Sequence, residues 1–365
     1  MTESSLPIQD YALLSDEECD SRIRAAKEKL GDRCVILGHH YQRDEVFQYA
    51  DLSGDSLKLS RDAAKTDAEF IVFCGVHFMA EGADILSADH QKVILPDLAA
   101  GCSMADMADL AKVERCWREL SEILDADNSI TPVTYINSAA DLKAFCGRHN
   151  GIVCTSSNAR KILEWSFNQR EKILFFPDQH LGRNTGYEMG IPLEEMVIWD
   201  FNKPMGGLTK EEILNARMIL WKGFCSVHQM FRPEQIDNFK AQYPEARVIS
   251  HPESSFEVCQ KSDRLGSTEM ILKIVRESEK GSRWLVGTEL NLVNRLAEEM
   301  KPKGVDVHFM SPTVSMCSTM FRTDPQHLAW VLENLVAGIV VNQITVEAED
   351  AKQAKLALDN MLAVI

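Results

Sequence analysis

Residues 34–56 read CVILGHHYQRDEVFQYADLSGDS. The stretch opens on Cys34-Val35-Ile36-Leu37, a short run of small and branched apolar side chains that suits a strand covered on both faces. It then turns polar at His39-His40-Tyr41. Ligands of open parallel sheets bind beyond the carboxyl ends of the strands, where the next helix begins, so a strand running into such a tripeptide is a candidate site wall. Further on, Gly54-Asp55-Ser56 brings a hydroxyl residue to the expected start of a helix.

The same unit recurs twice. Tyr135-Ile136-Asn137 is followed by Thr155-Ser156-Ser157, and His251-Pro252-Glu253 by Gly266-Ser267-Thr268. From the first residue of each tripeptide to the middle of the next motif is 16 residues for His39 to Asp55, 21 for Tyr135 to Ser156 and 16 for His251 to Ser267. Each copy continues through a helical stretch and a strand to a loop with one cysteine: Cys102 in AAGCSMAD, Cys225 in KGFCSVHQ and Cys317 in VSMCSTMF. Other strands are expected at Phe70 to Cys74, Val93 to Leu95, Val133 to Ile136, Ile152 to Cys154, Ile173 to Phe176, Met218 to Trp221, Val248 to Ser250, Trp284 to Val286 and Val305 to Phe309. Strands alternating with helical periods define an α/β fold with parallel sheets. The threefold recurrence predicts three similar αβα domains, at residues 1–128, 129–244 and 245–365, facing one central site.

Taken singly, a Ser or Thr before a helix is ordinary capping, and a His at a strand end is more often a bystander. The ordered recurrence of all the pieces is what argues for function.

The bulk composition narrows the partners. With 55 acidic against 39 basic side chains the formal net charge is -16, which disfavours a surface built for nucleic acid or anionic lipid. Residues 1–10 carry no basic segment followed by an apolar run, and apolar stretches such as Leu335 to Val341 fall far short of the roughly 20 residues of a membrane span. A cytoplasmic chain acting on small molecules is expected. The ten cysteines are sparse and irregularly spaced, which fits a reducing compartment. Cys34, Cys74 and Cys154 stand at strand positions that want a small apolar side chain and are expected to be core.

Cys102, Cys225 and Cys317 are one thiolate short of the four that close a structural zinc site or an ordinary iron-sulfur cluster, and an open coordination position acts as a Lewis acid. Cys225-x-x-His228 resembles half of a zinc site, with no matching half visible in the sequence. The three helix starts offer N–H groups and a partial positive charge for an anionic substrate. His39, Tyr41, Tyr135, Asn137 and His251 add donors, and Glu253 is the candidate base.

The motifs GHHYQRDEV, GDSLKLS, GVHFMAEGADILS, LPDLAAGCSMAD, TYINS, CTSSNA, PDQHLGRN, CSVH, HPES and GSTEMI, in this order, resemble the quinolinate synthase family. The resemblance implies three α/β domains in a triangular, pseudo-threefold arrangement around a central cavity, and one [4Fe-4S] cluster held by Cys102, Cys225 and Cys317. It implies substrate contacts at His39, Ser56, Tyr135, Asn137, Ser156, His251, Glu253 and Thr268, an active-site tyrosine at Tyr41, and Ser267 beside it. The implied reaction joins iminoaspartate to dihydroxyacetone phosphate, loses phosphate, isomerises, closes the ring and dehydrates to quinolinate, a step of NAD biosynthesis. Glu253 would shuttle protons, with His39, Tyr41 and His251 assisting. An L-aspartate oxidising enzyme is the implied source of iminoaspartate.

Two features depart from the family pattern. Ser311 and Val314 stand where some members have a CxxCxxC motif ending at the last cluster cysteine, so a neighbouring redox disulfide is not available. A segment of about 25 residues around Tyr187 to Lys210 reads as an insertion, with Pro204-Met205-Gly206-Gly207 as loop. Two other classes share the three-cysteine signature: a cluster-dependent hydro-lyase acting on a hydroxy acid, and a non-enzymatic redox sensor. The lack of a basic patch counts against the sensor.

Overall fold

The computed structural model describes residues 5–364. Fourteen strands among them form three sheets: β1 (Cys34–His39), β2 (Leu52–Gly54), β3 (Phe70–Cys74), β4 (Lys92–Ile94), β5 (Ile130–Tyr135), β6 (Ile152–Cys154), β7 (Lys172–Phe176), β8 (Met196–Trp199), β9 (Met218–Trp221), β10 (Arg247–Ser250), β11 (Arg264–Leu265), β12 (Arg283–Gly287), β13 (Asp306–Phe309) and β14 (Gln343–Ile344). The sheet orders are β14-β4-β3-β1-β2, β6-β5-β7-β9-β8 and β11-β10-β12-β13. In each sheet the first strand lies between a short second strand and the third, and a fourth follows beyond. The sequence repeat is therefore a repeat of topology.

All pairings are parallel except that of β14 with β4. Every residue of β3, β5, β7 and β9 is buried, as expected of strands with helices on both faces. Within the segment that the sequence reads as an insertion, Met196–Trp199 forms β8, an edge strand parallel to β9. Its Pro204–Gly207 part is a tight turn with Met205, Gly206 and Gly207 at positive φ.

The chain divides into two compact units, residues 5–102 with 316–346, and residues 103–315 with 347–364. The first unit holds the first sheet. Its helix Asp16–Leu30, started by a capping box at Ser15 and Glu18, packs against the helix Pro325–Val336 through Ile23, Leu328 and Leu332. Residues 316–346, read from sequence within the third domain, thus complete the first sheet's unit, with β14 as an edge strand. The second unit holds the other two sheets. Its C-terminal helix Ala348–Val364 lies on the helix Ala140–Arg148 beside β6. A Cβ at Gly147 would stand 1.9 Å from the Gln353 carbonyl oxygen, so the two backbones meet where no side chain fits.

Candidate functional site

Tyr135 closes β5, and the segment from His251 to Ser255 leaves β10. Asp178 follows β7, and Cys225 and His228 follow β9. All of these strand ends are carboxyl ends, and all belong to the second unit. At their meeting point is Glu253, 3% exposed. The Tyr135 hydroxyl donates to its Oε1 at 2.5 Å. His228 Nδ1 is 3.1 Å from Oε2, close enough for an ion pair but not aligned as a hydrogen bond. The rings of His228 and His251 stack with centroids 4.7 Å apart.

Burial drives His251 down to about 3, so its ring is neutral at pH 7. Its Nδ1 accepts the Glu253 backbone N–H at 3.3 Å, which leaves the ring proton on Nε2. Burial also works against the Glu253 carboxylate, but His251, His228 and the Tyr135 hydroxyl outweigh it and hold the group below the ordinary carboxylate range. Asp178, fully buried, moves the other way: desolvation first, then the negative charge of Glu253, push its carboxyl well up. Its Oδ2 accepts the Leu181 N–H at 2.6 Å and caps the helix Gln179–Glu188, while Oδ1 has no partner among the described residues. Two neighbouring carboxyls with opposed shifts are the pattern of an acid paired with a base.

The same helix fastens the loop that carries Glu253. Asn184, 1% exposed, points its Nδ2 at the carbonyl oxygens of Pro252 (2.8 Å) and Ser254 (2.9 Å) and at Cys259 Sγ (3.1 Å). The two carbonyl acceptors fix which end of the amide faces the loop.

In the first unit, His39 ends β1 and is 4% exposed. Its Nδ1 accepts the Tyr41 N–H at 3.1 Å, and the half-buried Tyr41 ring stands edge-on to it at 4.8 Å. The turn at His39 and Tyr41 therefore repeats the one at His251 and Glu253.

The helix starts differ in detail from the sequence reading. Asp55 and Ser267 are the N-caps, accepting N–H groups of Lys58 and Met270, and Ser56 and Thr268 are the first helical residues. Ser156 does not start a helix. It lies in a turn closed by the Thr155 N–H bond to Asn158 Oδ1 at 2.7 Å, and the helix runs from Ala159 to Gln169. Asn and Thr side chains compete for backbone groups, and here they delay the helix by three residues. Asn137 is half-buried just beyond β5.

Cys102, Cys225 and Cys317 are all half-buried in loops, and Cys317 Sγ is 3.3 Å from Thr319 Oγ1. Cys74 and Cys154 are buried; desolvation lifts Cys74 to about 12 and Cys154 well above the normal thiol range, as it does Cys34 to about 12. Cys74 and Cys154 are thus inert core thiols, whereas Cys34, expected in the core, is half-buried at the start of β1 and is set apart from the three loop cysteines by its place on a strand. Sequence reasoning left Asp178, Asn184 and His228 out of the site. The sequence shows no second half for the Cys225-x-x-His228 motif, but the fold brings Glu253 beside it, from a different strand end.

Residues 21–363 match the family described as Quinolinate synthetase A protein. The quinolinate synthase of Acidobacterium capsulatum is 54% identical over 357 residues, covering 98% of this chain and 96% of that protein. Those of Corynebacterium glutamicum (55% identical; 98% of this chain and 90% of that protein) and Herpetosiphon aurantiacus (56%; 98% and 95%) are similarly related. Among solved structures, a D-lactate dehydrogenase with NAD+ from Lactobacillus jensenii aligns over 92% of this chain and 90% of that one, at 10% identity and a TM-score of 0.17, too low to establish a shared fold. The chain is an α/β enzyme with a buried cluster of carboxyl, imidazole and phenol side chains at the ends of parallel strands. It belongs to the quinolinate synthetase A protein family. No helix among the described residues is long and apolar enough to cross a membrane.

Proposed function

We propose that the protein is a quinolinate synthase that condenses iminoaspartate with dihydroxyacetone phosphate, with loss of phosphate and water, in the cytoplasm. The observation that carries this reading is the Tyr135, His251 and Glu253 cluster, buried at strand ends in a chain more than half identical to named quinolinate synthases. Cys102, Cys225 and Cys317 would hold a [4Fe-4S] cluster; three half-buried thiols in loops suit it, and the core cysteines do not. When bound, such a cluster supplies an open iron that polarises a carboxylate or assists a departing hydroxide.

The chain's own residues do the rest. Glu253, ionised at neutral pH, takes a proton from carbon or nitrogen and returns it later, with Tyr135 holding the carboxylate in place. His251 presents an Nε2–H donor. His39 and Tyr41, in the equivalent turn of the first sheet, assist the isomerisation. Ser56, Thr268 and the N–H groups of their helices, with Ser267, Ser156 and Asn137, bind the carboxylates and the phosphate, so a chain with this excess of acid needs few cations at the site. The site's substrates come from an enzyme that oxidises L-aspartate and from the triose phosphate pool.

The test is anaerobic purification followed by an iron count and an assay for quinolinate from dihydroxyacetone phosphate and iminoaspartate generated in place. About four irons per chain and quinolinate formation are expected. Turnover that does not depend on the triose phosphate would replace the condensation with simple hydro-lyase chemistry.

A further inference from the structure

His228 is an imidazole with 1% exposure; its Nδ1 meets Glu253 Oε2 at 3.1 Å, and its Nε2 has no hydrogen-bond partner among the described residues. A buried polar atom left unsatisfied costs about 1–3 kcal/mol, so the position asks for a ligand. What surrounds it indicates which kind. Cys225 lies three residues earlier on the same turn, where the Gln229 N–H bonds to the Cys225 carbonyl. Glu253 Oε2 approaches from another strand end. One ligand atom from each of Cys225, His228 and Glu253 lies within 4.8 Å of the others. In a tetrahedral zinc site, bonds of about 2.0–2.3 Å place ligand atoms roughly 3.3–3.8 Å apart, so these three need to draw in by only about 1 Å.

We propose that Cys225, His228 and Glu253 form a site for one divalent transition metal of the zinc class, with water in the fourth position. A thiolate, an imidazole and a carboxylate are the donors such ions prefer, and three protein ligands with one open position is a familiar zinc arrangement. Binding releases the Cys225 thiol proton to solvent; no redox change is involved. The site goes beyond the proposed iron-sulfur chemistry because it uses neither Cys102 nor Cys317. It also excludes that chemistry, since both need the Cys225 thiolate and the metal occupies the Glu253 carboxylate. A chain that meets zinc before it receives its cluster is held in an inactive form that a chelator releases.

The test uses the full chain, stripped of iron under anaerobic conditions and titrated with Co2+ alone. One Co2+ per chain should bind, with a sulfur-to-cobalt charge-transfer band in the near ultraviolet and the visible bands of four-coordinate cobalt. Cys102→Ser and Cys317→Ser should keep both bands at full strength, although neither should hold a cluster. Cys225→Ser should lose the charge-transfer band. His228→Gln and Glu253→Gln should weaken binding by more than the roughly 10- to 100-fold that even an outer-shell partner contributes. Loss of the bands in Cys102→Ser or Cys317→Ser, full bands in Cys225→Ser, or no stoichiometric binding to the parent would overturn the proposal without touching the cluster assignment. Should Cys225→Ser fail to fold, as read by circular dichroism, the His228 and Glu253 variants decide: unchanged Co2+ affinity in both refutes the site.

Discussion

The Tyr135 hydroxyl lies 2.5 Å from Glu253 Oε1, and it ties a strand end of the second sheet to the loop leaving the first strand of the third. This donor adds to His251 and His228 in holding the buried carboxyl of Glu253 below its ordinary range. A hydrogen bond to a charged group contributes about 1.5–3 kcal/mol, so Tyr135→Phe should lower kcat about 10- to 100-fold. Removing a donor from the charged form raises the Glu253 pKa. The acid limb of the pH–rate profile should therefore move to higher pH, and an unmoved limb would assign the hydroxyl to substrate alone.

Removing the carboxylate itself should be more severe. Glu253→Gln keeps the shape of the side chain but not the proton carrier, and turnover should fall about 100-fold or more while the cluster absorption is unchanged. Steady-state kinetics beside an absorption spectrum check both halves.

The cysteines should divide as their surroundings do. Cys102→Ser, Cys225→Ser and Cys317→Ser should each abolish the brown [4Fe-4S] absorption, whereas Cys74→Ala and Cys154→Ala should keep the full iron count and affect only thermal stability. Equal iron in all five variants would remove the assignment.

Asp178 gives a prediction with a definite sign. Its folded pKa is raised, so its contribution is complete below the unfolded value near 3.9 and is lost as pH rises toward the folded value. Asn at this position is a competent N-cap without the ionisation. The stability of Asp178→Asn relative to the parent should therefore grow as pH rises above about 4, while Asp178→Ala, which loses the cap, should cost about 0.5–2 kcal/mol. Denaturant melts at pH 5 and pH 8 separate the two.

Ser267 and Thr268 are adjacent yet should fail differently. Ser267 caps its helix, so Ser267→Ala should cost about 0.5–2 kcal/mol of stability. Thr268→Ala leaves the cap and should lower kcat/KM about 10- to 100-fold, the scale of one hydrogen bond to a charged ligand.

The inner strands were readable because burial on both faces demands unbroken runs such as FIVFC and ILFF. β2, β11 and β14 were not, since two or three residues at a sheet edge carry no periodicity. β8 was hidden in the segment that read as an insertion, ahead of its Pro204–Gly207 loop. Glu253, His251 and Tyr135 were visible because the repeat aligned them at strand ends. Asp178 and Asn184 sit in PDQHLGRN, where a capping Asp and a helical Asn look ordinary; Asp178 does cap its own helix, and only the packing of that helix on the loop leaving β10 gives Asn184 its partners and brings the charge of Glu253 to bear on Asp178. His228 was visible only as part of a CxxH pair whose third member is 25 residues away in sequence and adjacent in space.

The contact of Gly147 with the Gln353 backbone bears on the order in which the chain matures at the ribosome. The outer layer over β6 and the helix Ala140–Arg148 is supplied by residues 348–364, so the second sheet, although its strands are complete by Trp221, waits through more than a hundred further residues of synthesis for its cover. Until then Ala140–Arg148 shows solvent a surface shaped for another backbone, and a nascent chain stalled in that interval would be the natural client of a chaperone that reads exposed helix faces.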